Sequence, residues 1–432
     1  MRSFLWVINM VAKTDIKFYV HTNNNAPQLQ NAYGSMINVL DAWLINGAFV
    51  GNVLSLTVSG RIATAVVDAN HNLLTYQVIK IAGANQSELN REHRITSIEN
   101  GTTFKFELPE DLGVIAGTGS ITCSLPPLGW EKPFSSTNPG GGGKAAYRSK
   151  NELLPRRPFL RVVDELDPAW SANYALYAKV GIVEHMDGMD SLIGSQAPYD
   201  ASNPDKNWVG SGSGTSAYNG WAKWYYRRST ELRPSQSTDT GGGGLAGNSQ
   251  YYIVGNSDYF YVLNGHTASD ARKLAYFFGA INSLNQDFFL GASLGYFTAS
   301  YNQRPSMDTP LLWGNTYFAN LVSAHDGDGA SVFSYNYVTS LHFNGATEFK
   351  TGVRDDISFS TPICLDVIVI EGGSNKFRGK VPLLKWLPHL KPYTNNAFIT
   401  DNNEAYLAIN TYSEQSDGQF LIKVGGLNAS SN

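Results

Sequence analysis

The division of this chain is decided by the stretch 125–149, which reads Leu-Pro-Pro-Leu-Gly-Trp-Glu-Lys-Pro-Phe-Ser-Ser-Thr-Asn-Pro-Gly-Gly-Gly-Gly-Lys-Ala-Ala-Tyr-Arg-Ser. Its four prolines remove backbone donors and fix φ, and its glycines at 140–143 permit almost any φ and ψ. We therefore predict that neither a helix nor a central strand runs through it. Trp130, Phe134 and Tyr147 are large enough to pack against the flanking modules, so we interpret the stretch as a packed elbow.

Four segments follow from the position of that elbow. We predict an N-terminal strand and helix in 1–50, a small β-barrel or sandwich in 51–125, the Pro/Gly elbow in 126–149, and a large β-rich domain in 150–432. The predicted fold class is therefore mainly β, and the large domain is expected to be sandwich-like with long loops.

The N-terminus offers two candidate starts. Residues 3–12 are apolar but lack a clean small-x-small cleavage site, which argues against a removed signal peptide. Either Met1 or Met10 is a candidate for the biological start.

The composition favours sheets and disfavours several partners. Charged residues make up 16% of the 432 positions and aromatic residues 12%, and aromatic side chains suit half-buried sheet surfaces. The net charge is −4 without a basic run, so we expect no nucleic-acid partner, because phosphate neutralisation needs clustered Lys and Arg. No run reaches the roughly 18 apolar residues of a membrane span, so we expect no membrane insertion. Cys123 and Cys364 are the only cysteines, and we expect two free, buried thiols.

Hydrophobic spacing predicts one clear helix in the N-terminal part. Apolar residues recur at three- and four-residue steps from Leu29 to Leu44, which indicates a helix that begins near Pro27 and ends before Gly47. Its apolar face covers a core in one interpretation and contacts another subunit in the other.

Alternating runs then predict strands. Residues 54–59 and 62–67 flank a Gly-containing turn and indicate a hairpin. Further strands are predicted at 17–21, 76–81, 94–98, 103–108, 120–124, 159–164, 175–183, 251–254, 259–263, 275–281, 288–290, 317–323, 331–338, 364–370, 406–410 and 419–424.

Several other segments are predicted not to form central strands. Residues 194–220 and 235–249 are rich in Gly and Ser, so we predict long surface loops there. In 378–388 two prolines argue against a central strand.

The segment 221–228, Trp-Ala-Lys-Trp-Tyr-Tyr-Arg-Arg, is an aromatic and basic strand candidate. A platform of Trp221, Trp224, Tyr225 and Tyr226 would let a sugar ring stack on it. An aromatic strand is more typical of a core or a subunit interface, and we favour that interpretation.

The segment Gly-Ala-Ser-Leu-Gly at 291–295 matches the G-x-S-x-G nucleophile elbow of hydrolases, with Ser293 as the candidate nucleophile. That motif needs a strand-to-helix turn, whereas 296–301 has the pattern of another strand. We therefore interpret it as a glycine-flexed turn.

Two loops gather residue types that can bind metal ions. One contains Glu184, His185, Asp187 and Asp190, and the other contains the run His325, Asp326 and Asp328. The second lacks the terminal Glu of a calcium loop and lies where a hairpin needs a turn, so we interpret both as turn chemistry. We assign no catalytic, cofactor-binding or metal residue and expect no cofactor.

An ordered set of segments carries a further signal. The first is 29–49, which contains Leu-Asp-Ala-Trp-Leu-Ile-Asn-Gly at 40–47. The others are Leu-Ser-Leu-Thr-Val-Ser-Gly-Arg-Ile-Ala-Thr-Ala-Val at 54–66, Ile-Ala-Gly-Ala at 81–84, Leu-Asn at 89–90, Gly-Trp-Glu-Lys-Pro-Phe-Ser at 129–135, Lys-Ala-Ala-Tyr-Arg-Ser at 144–149, Leu-Arg-Val-Val-Asp at 160–164 and Arg-Gly-Lys-Val-Pro at 378–382. In their order these segments resemble a family of virion structural proteins from tailed bacteriophages, in which a helix of the type at 40–47 precedes a strand module. The matches are dense to about residue 164 and thinner beyond it.

This resemblance implies a non-enzymatic structural component of a virion, made in the host cytoplasm. It implies a homo-oligomer in a symmetric assembly with other virion proteins, and we expect the helix and the aromatic strands as candidate interfaces. One alternative is a receptor- or carbohydrate-binding virion protein with a glycan ligand. Another is a serine hydrolase that uses Ser293. Capsid surface, neck, tail and baseplate all stay open as positions.

Overall fold

The structure, a computed structural model, describes residues 13–167, 175–210, 220–227, 247–265, 272–283, 285–294, 321–339, 364–371, 376–387, 391–412 and 417–426. The described chain is mostly β, as predicted. The first strands are β1 (Lys17–Val20), β2 (Ala48–Ser59), β3 (Ile62–Val67), β4 (Val78–Ala84), β5 (Glu92–Ile98), β6 (Thr103–Glu107), β7 (Val114–Ala116), β8 (Gly119–Leu125), β9 (Trp130–Thr137), β10 (Gly142–Ser149), β11 (Phe159–Glu165), β12 (Tyr177–Gly188) and β13 (Ser191–Ala197). The others are β14 (Ala222–Tyr225), β15 (Tyr251–Gly255), β16 (Tyr259–Gly265), β17 (Lys273–Ala280), β18 (Phe288–Gly291), β19 (Ser293–Leu294), β20 (Leu321–His325), β21 (Ser331–Thr339), β22 (Leu365–Glu371), β23 (Phe377–Leu387), β24 (Phe398–Asp401), β25 (Glu404–Tyr412) and β26 (Asp417–Gly426).

The N-terminal helix is shorter than predicted. Helix α1 (Ser35–Leu40) continues as a π-helical turn, Asp41–Asn46, and begins at Ser35 rather than near Pro27. Leu29 is held in an extended bridge to Ser249, so the preceding segment is not helical. The helical stretch ends before Gly47, as predicted, where φ is 70° and a Cβ would lie 2.4 Å from the Leu125 carbonyl oxygen. Its apolar face lies in the core, so the core-covering interpretation is confirmed.

A closed barrel follows the helix. Its six strands have the order β3-β6-β5-β4-β8-β2, and the barrel closes because β2 also pairs with β3. β7 pairs with β2 beside the barrel. The predicted hairpin at 54–59 and 62–67 is confirmed as β2 and β3. Cys123 is buried in the barrel core, but Cys364 is exposed because it precedes β22 rather than lying inside it; both thiols are free.

The second sheet has the order β19-β14-β12-β11-β10-β9, with β13 paired to β12. It shows that our prediction for 125–149 is wrong, because β9 and β10 both come from that stretch and β10 is central. β9 tolerates Pro133 because it is the edge strand, where one side needs no backbone donor. Leu125 ends β8 of the barrel, and of the rest of the stretch only residues 126–129 and the turn between the two strands lie outside the second sheet.

The large aromatic residues of 125–149 do anchor the chain, as predicted. Trp130 is fully buried, and its ring lies 5.1 Å from the ring of Phe260 in β16. Its Nε1 donates to the Asn256 carbonyl at 2.8 Å. The stretch is therefore a pair of strands packed on the next sheet.

The third sheet has twelve strands in the order β1-β15-β16-β17-β18-β20-β21-β22-β23-β26-β25-β24. The N-terminal strand β1 thus belongs to it. The sheet folds over so that β25 packs near β17, and Thr411 Oγ1 donates to the Lys273 carbonyl at 2.9 Å. This folding gives the sandwich-like form.

β23 corrects a second prediction, because it is a central strand despite its proline. It pairs with β22 on one side and β26 on the other. Pro382 lies where the register with β22 shifts, and Leu383 next to it has φ of 63°. A bulge therefore accommodates the missing backbone donor.

Of the two predicted surface loops, only part lies in the described chain. Residues 194–197 belong to β13 and 198–210 contain no strand, whereas 211–219 and 228–246 lie outside the described residues. No helix in the described part of the chain is long and apolar enough to cross a membrane.

The three sheets share one hydrophobic core. It joins α1, the barrel interior, the second sheet and one face of the large sheet, and includes Trp43, Phe104, Tyr147, Trp224 and Phe260. A second core lies inside the folded part of the large sheet. The barrel is therefore packed onto the other sheets rather than tethered to them.

Buried Arg94 fastens the barrel to the large sheet. Its guanidinium donates five hydrogen bonds to the carbonyl oxygens of Lys13, Ile16, Tyr76 and Val424. These acceptors lie in the N-terminal segment, the barrel and β26. Burial lowers the pKa of Arg94 to about 10, and the side chain stays charged at neutral pH.

Candidate functional site

The structure brings together one residue from each of the two metal-candidate loops. Glu184 lies within β12, and its Oε1 is 3.4 Å from Nε2 of His325 at the end of β20. Ser331, the first residue of β21, donates to Glu184 Oε1 at 3.2 Å and lies 3.3 Å from His325 Nε2. These three side chains form one polar contact group between the second and third sheets.

The other candidates of the first loop point elsewhere. The predicted loop is a strand, since β12 runs to Gly188 and only Met189 and Asp190 turn the chain. His185 and Asp187 are exposed. Asp190 pairs with Lys144 and Arg161, both at 2.8 Å. Within the described ranges, no group of three or more His, Cys, Asp or Glu side chains could hold a metal ion.

The Glu184, His325 and Ser331 group does not have the geometry of a serine triad. In a triad the hydroxyl and the carboxylate contact opposite nitrogens of the imidazole. Here both contact Nε2. Burial lowers the pKa of His325 despite the opposing effect of Glu184. Burial would raise the pKa of Glu184, but hydrogen bonds from Ser195 and Ser331 and the charge of His325 hold it below its usual value.

The second candidate loop is a hairpin turn, as predicted. Asp326 Oδ1 accepts from the backbone N–H groups of Asp328 and Ala330, both at 2.9 Å. Asp326 N also donates to the Ala330 carbonyl at 3.1 Å. The carboxylate thus closes the turn between β20 and β21.

An ion-pair network lies beside this turn. Asp287, 1% exposed, accepts from Arg156 Nη1 at 2.7 Å and from Arg378 Nη2 at 2.5 Å, one guanidinium on each carboxylate oxygen. Arg378 also lies 3.8 Å from Glu371 Oε2. Arg156 Nη2 donates to the Gly329 carbonyl at 2.7 Å, which attaches the network to the turn.

A cleft of about 570 Å³ opens next to the network. Its lining residues are Asn282, Ser283, Asn285, Asp287, Gly327, Phe377, Arg378 and Gly379. Sequence reasoning missed this site. Two sequence features could have indicated it: the polar segment 282–287 between two aromatic strands, and the Arg-Gly pair at 378–379.

The described part of the aromatic segment, 221–227, is core, so the sugar platform is not present. Trp221, Trp224, Tyr225 and Tyr226 are each at most 3% exposed. β14 lies between β12 and β19, and Trp224 Nε1 donates to the Gly291 carbonyl at 3.0 Å. These rings have no face open to a ligand.

Ser293 lacks the setting of a nucleophile elbow. It lies in β19 opposite Lys223 of β14, and its side chain is fully buried. Its Oγ is 3.4 Å from the hydroxyl of Tyr276. An elbow serine must be exposed at a strand-to-helix turn. Gly295 and the predicted strand at 296–301 lie outside the described residues.

Asp164 forms a buried junction between the second sheet and α1. Its Oδ2 accepts from the Ile37 backbone N–H at 3.0 Å, and its Oδ1 accepts from the Tyr226 hydroxyl. Its own carbonyl accepts from Gly34 N at 2.9 Å. α1 has no side-chain cap of its own, so this carboxylate caps it from a distant strand. Burial raises the pKa of Asp164 to about 6 although these donors oppose the rise.

Comparison with known proteins adds a distant likeness among solved structures. No protein-family model and no curated protein matches the sequence. Among solved structures, the chain is similar to the phage phi92 endosialidase at 10% identity and a TM-score of 0.16, over 87% of this chain and 51% of that one. The chain thus spans about half the length of that protein.

Proposed function

We propose that this chain is a non-enzymatic structural component of a tailed-phage virion, and that it assembles in multiple copies with other virion proteins. The order of the sequence segments that resemble such proteins supports the proposal. One observation carries it: four of these segments, 29–49, 129–135, 144–149 and 160–164, bond directly to one another in the folded chain.

Three buried or partly buried contacts join the segments. Asp164, the last residue of 160–164, caps α1 in 29–49 through Ile37. Tyr147 of 144–149 donates to Asp41 Oδ1 at 2.8 Å, and Lys132 of 129–135 donates to Asp41 Oδ2 at 2.5 Å. Because these residues hold one another in place, the segments that carry the resemblance form one folded unit. They are not a set of unrelated short matches.

The chemistry of the other candidate sites favours a structural role. The Ser293 hydroxyl is buried, and the Ser331, His325 and Glu184 contacts converge on one imidazole nitrogen. Neither arrangement supplies an activated nucleophile.

We further propose that the tip of the β2–β3 hairpin is an assembly surface. Ile62 and Val114 both pair with Ser59 and are 42% and 86% exposed. Leu54, on the same strand β2, is 69% exposed. The helix and the strand 222–225, which the sequence favoured as interfaces, have their apolar faces inside the chain, so this tip is the better candidate.

Immunogold electron microscopy of purified virions with antibody to this protein tests the location. We expect discrete label at the head, neck or tail. Unlabelled particles, with the label confined to free protein in the lysate, would contradict the proposal.

Receptor- or carbohydrate-binding is the second candidate function. The aromatic strand does not support it, but the cleft beside the Asp287 and Arg378 pair does, because it combines side-chain amides with an exposed ring.

A further inference from the structure

We infer that the cleft between residues 282–283 and 285–287 on one side and the start of β23 on the other binds a neutral saccharide. This inference rests on the second candidate function and gives it a site and a ligand class. The cleft volume of about 570 Å³ lies within the range of small-molecule sites, roughly 300–1,000 Å³.

The ions around the cleft are already paired, which disfavours a charged ligand. Both oxygens of Asp287 accept from guanidinium groups, so they are not available to bind a cation. Arg378 faces two carboxylates, those of Asp287 and Glu371, so its charge is compensated. Lys376 pairs with Asp328 at 3.3 Å at the rim. A charged ligand would have to break these pairs.

The remaining polar groups suit hydroxyl groups. The side chains of Asn282 and Asn285 are exposed, and neither has a hydrogen-bond partner within the described residues. Ser283 Oγ is buried and likewise has no hydrogen-bond partner there. Each amide offers two donors and an acceptor, and a hydroxyl serves as both, so the set complements a sugar ring.

One exposed ring supplies the apolar contact. Phe377 is 67% exposed and lines the cleft at the first position of β23. Its exposed face is therefore open to a ligand that enters the cleft. The C–H face of a pyranose is a suitable partner for it.

The two walls of the cleft are held in place before any ligand arrives. Asn282 N donates to the Lys380 carbonyl at 3.0 Å, and Lys380 N donates to the Asn282 carbonyl at 3.1 Å. Gly379 has φ of 148°, and a Cβ there would lie 2.5 Å from the Asn282 carbonyl oxygen. The glycine therefore permits the close approach that sets the cleft width, and a fixed site loses less entropy on binding.

Isothermal titration calorimetry of the full chain with oligosaccharides tests the inference. The probes are maltotetraose, cellotetraose, N,N′,N″,N‴-tetraacetylchitotetraose and lacto-N-tetraose, with sialyllactose as the charged comparison. We expect at least one neutral probe to bind and sialyllactose to bind more weakly. Phe377→Ala should weaken binding about tenfold through loss of the ring contact, and Asn285→Ala about fivefold through loss of a hydrogen bond.

Phe333→Ala is the matched control, since Phe333 is also exposed, at 55%, but does not line the cleft. It should bind as the wild type does, and all three variants should keep the wild-type Tm. Binding that Phe377→Ala and Asn285→Ala leave unchanged would overturn the site but keep the carbohydrate function. Preferential binding of sialyllactose would overturn the neutral ligand class. If no probe binds, both this inference and the carbohydrate-binding function on which it rests are overturned.

Discussion

Two buried carboxylates, Asp164 and Asp287, show how differently two regions of this molecule use charge. Asp164 accepts from the Ile37 backbone N–H and the Tyr226 hydroxyl, both neutral donors. Asp287 accepts from two guanidinium groups, those of Arg156 and Arg378. Both arrangements join segments that are far apart in the chain, but the first lies inside the common core and the second lies beside a polar cleft. We infer that the region around Asp164 determines the architecture and the region around Asp287 is free to bind.

The largest effect should come from Arg94 in the architectural region. Arg94→Ala removes five hydrogen bonds and leaves buried carbonyl groups without a donor. We expect a loss of about 4 kcal/mol in the free energy of unfolding, measured by urea denaturation. Arg94→Lys keeps the charge but not the planar, forked guanidinium, so its free energy of unfolding should lie between those of the wild type and Arg94→Ala. A loss below about 1 kcal/mol would show that the barrel is held by packing alone.

The next effect is a pH dependence that arises from Asp164. Its pKa is raised from the ordinary value of 3.8 to about 6 in the folded chain, so the folded state retains the proton longer than the unfolded state does. Its contribution to stability is therefore present below pH 4 and is lost as the pH rises to about 6, by up to about 3 kcal/mol.

Asp164→Asn isolates this contribution. The amide still accepts from Ile37 N and can donate to Tyr226 but does not titrate. The unfolding free energy of the wild type minus that of Asp164→Asn should fall between pH 4 and 6. A constant difference across that interval would contradict the shifted pKa.

Removal of the same side chain gives a smaller loss at neutral pH. Asp164→Ala leaves the Ile37 N–H and the buried Tyr226 hydroxyl without an acceptor, but it also removes the cost of a buried charge. We expect a loss of about 2 kcal/mol at pH 7 by urea denaturation. Asp328→Ala is the control, since that side chain is 78% exposed and pairs with the half-exposed Lys376, and its loss should stay below about 1 kcal/mol.

The smallest effect should come from the cleft. The double variant Asn285→Ala, Phe377→Ala changes exposed side chains, so its unfolding free energy should stay within about 0.5 kcal/mol of the wild type. Thermal and urea denaturation measure this. A larger loss would show that the cleft is part of the architecture and would remove the contrast between the two regions.

The sequence predicted the local features well and the long-range contacts poorly. The β2–β3 hairpin was predictable because alternation and the turn at Gly60 are local signals. The strand β10 was not predictable, because the prolines and glycines near it indicate breaks in regular structure. The sequence does not show that Pro133 lies in an edge strand, β9, where a proline is tolerated. The start of α1 was missed for a similar reason: its cap, Asp164, lies far along the chain.

The candidate site was beyond sequence reasoning because its parts come from separate strands. Glu184 and His325 were each identified, but nothing local shows that β12 and β20 place them 3.4 Å apart. Asp287 and Arg378 meet only through the path of the large sheet. Ser293 and Trp224 matched functional patterns, yet both are buried by strands that pair across long separations.

Quantitative mass spectrometry of purified phage particles measures most directly whether this chain is a virion component. Isotope-labelled peptides from the described strands would give its ratio to the major head protein. We expect a constant ratio in every preparation, corresponding to several copies per particle. Absence of the chain from infectious particles, or a ratio that falls with each purification step, would contradict a structural role.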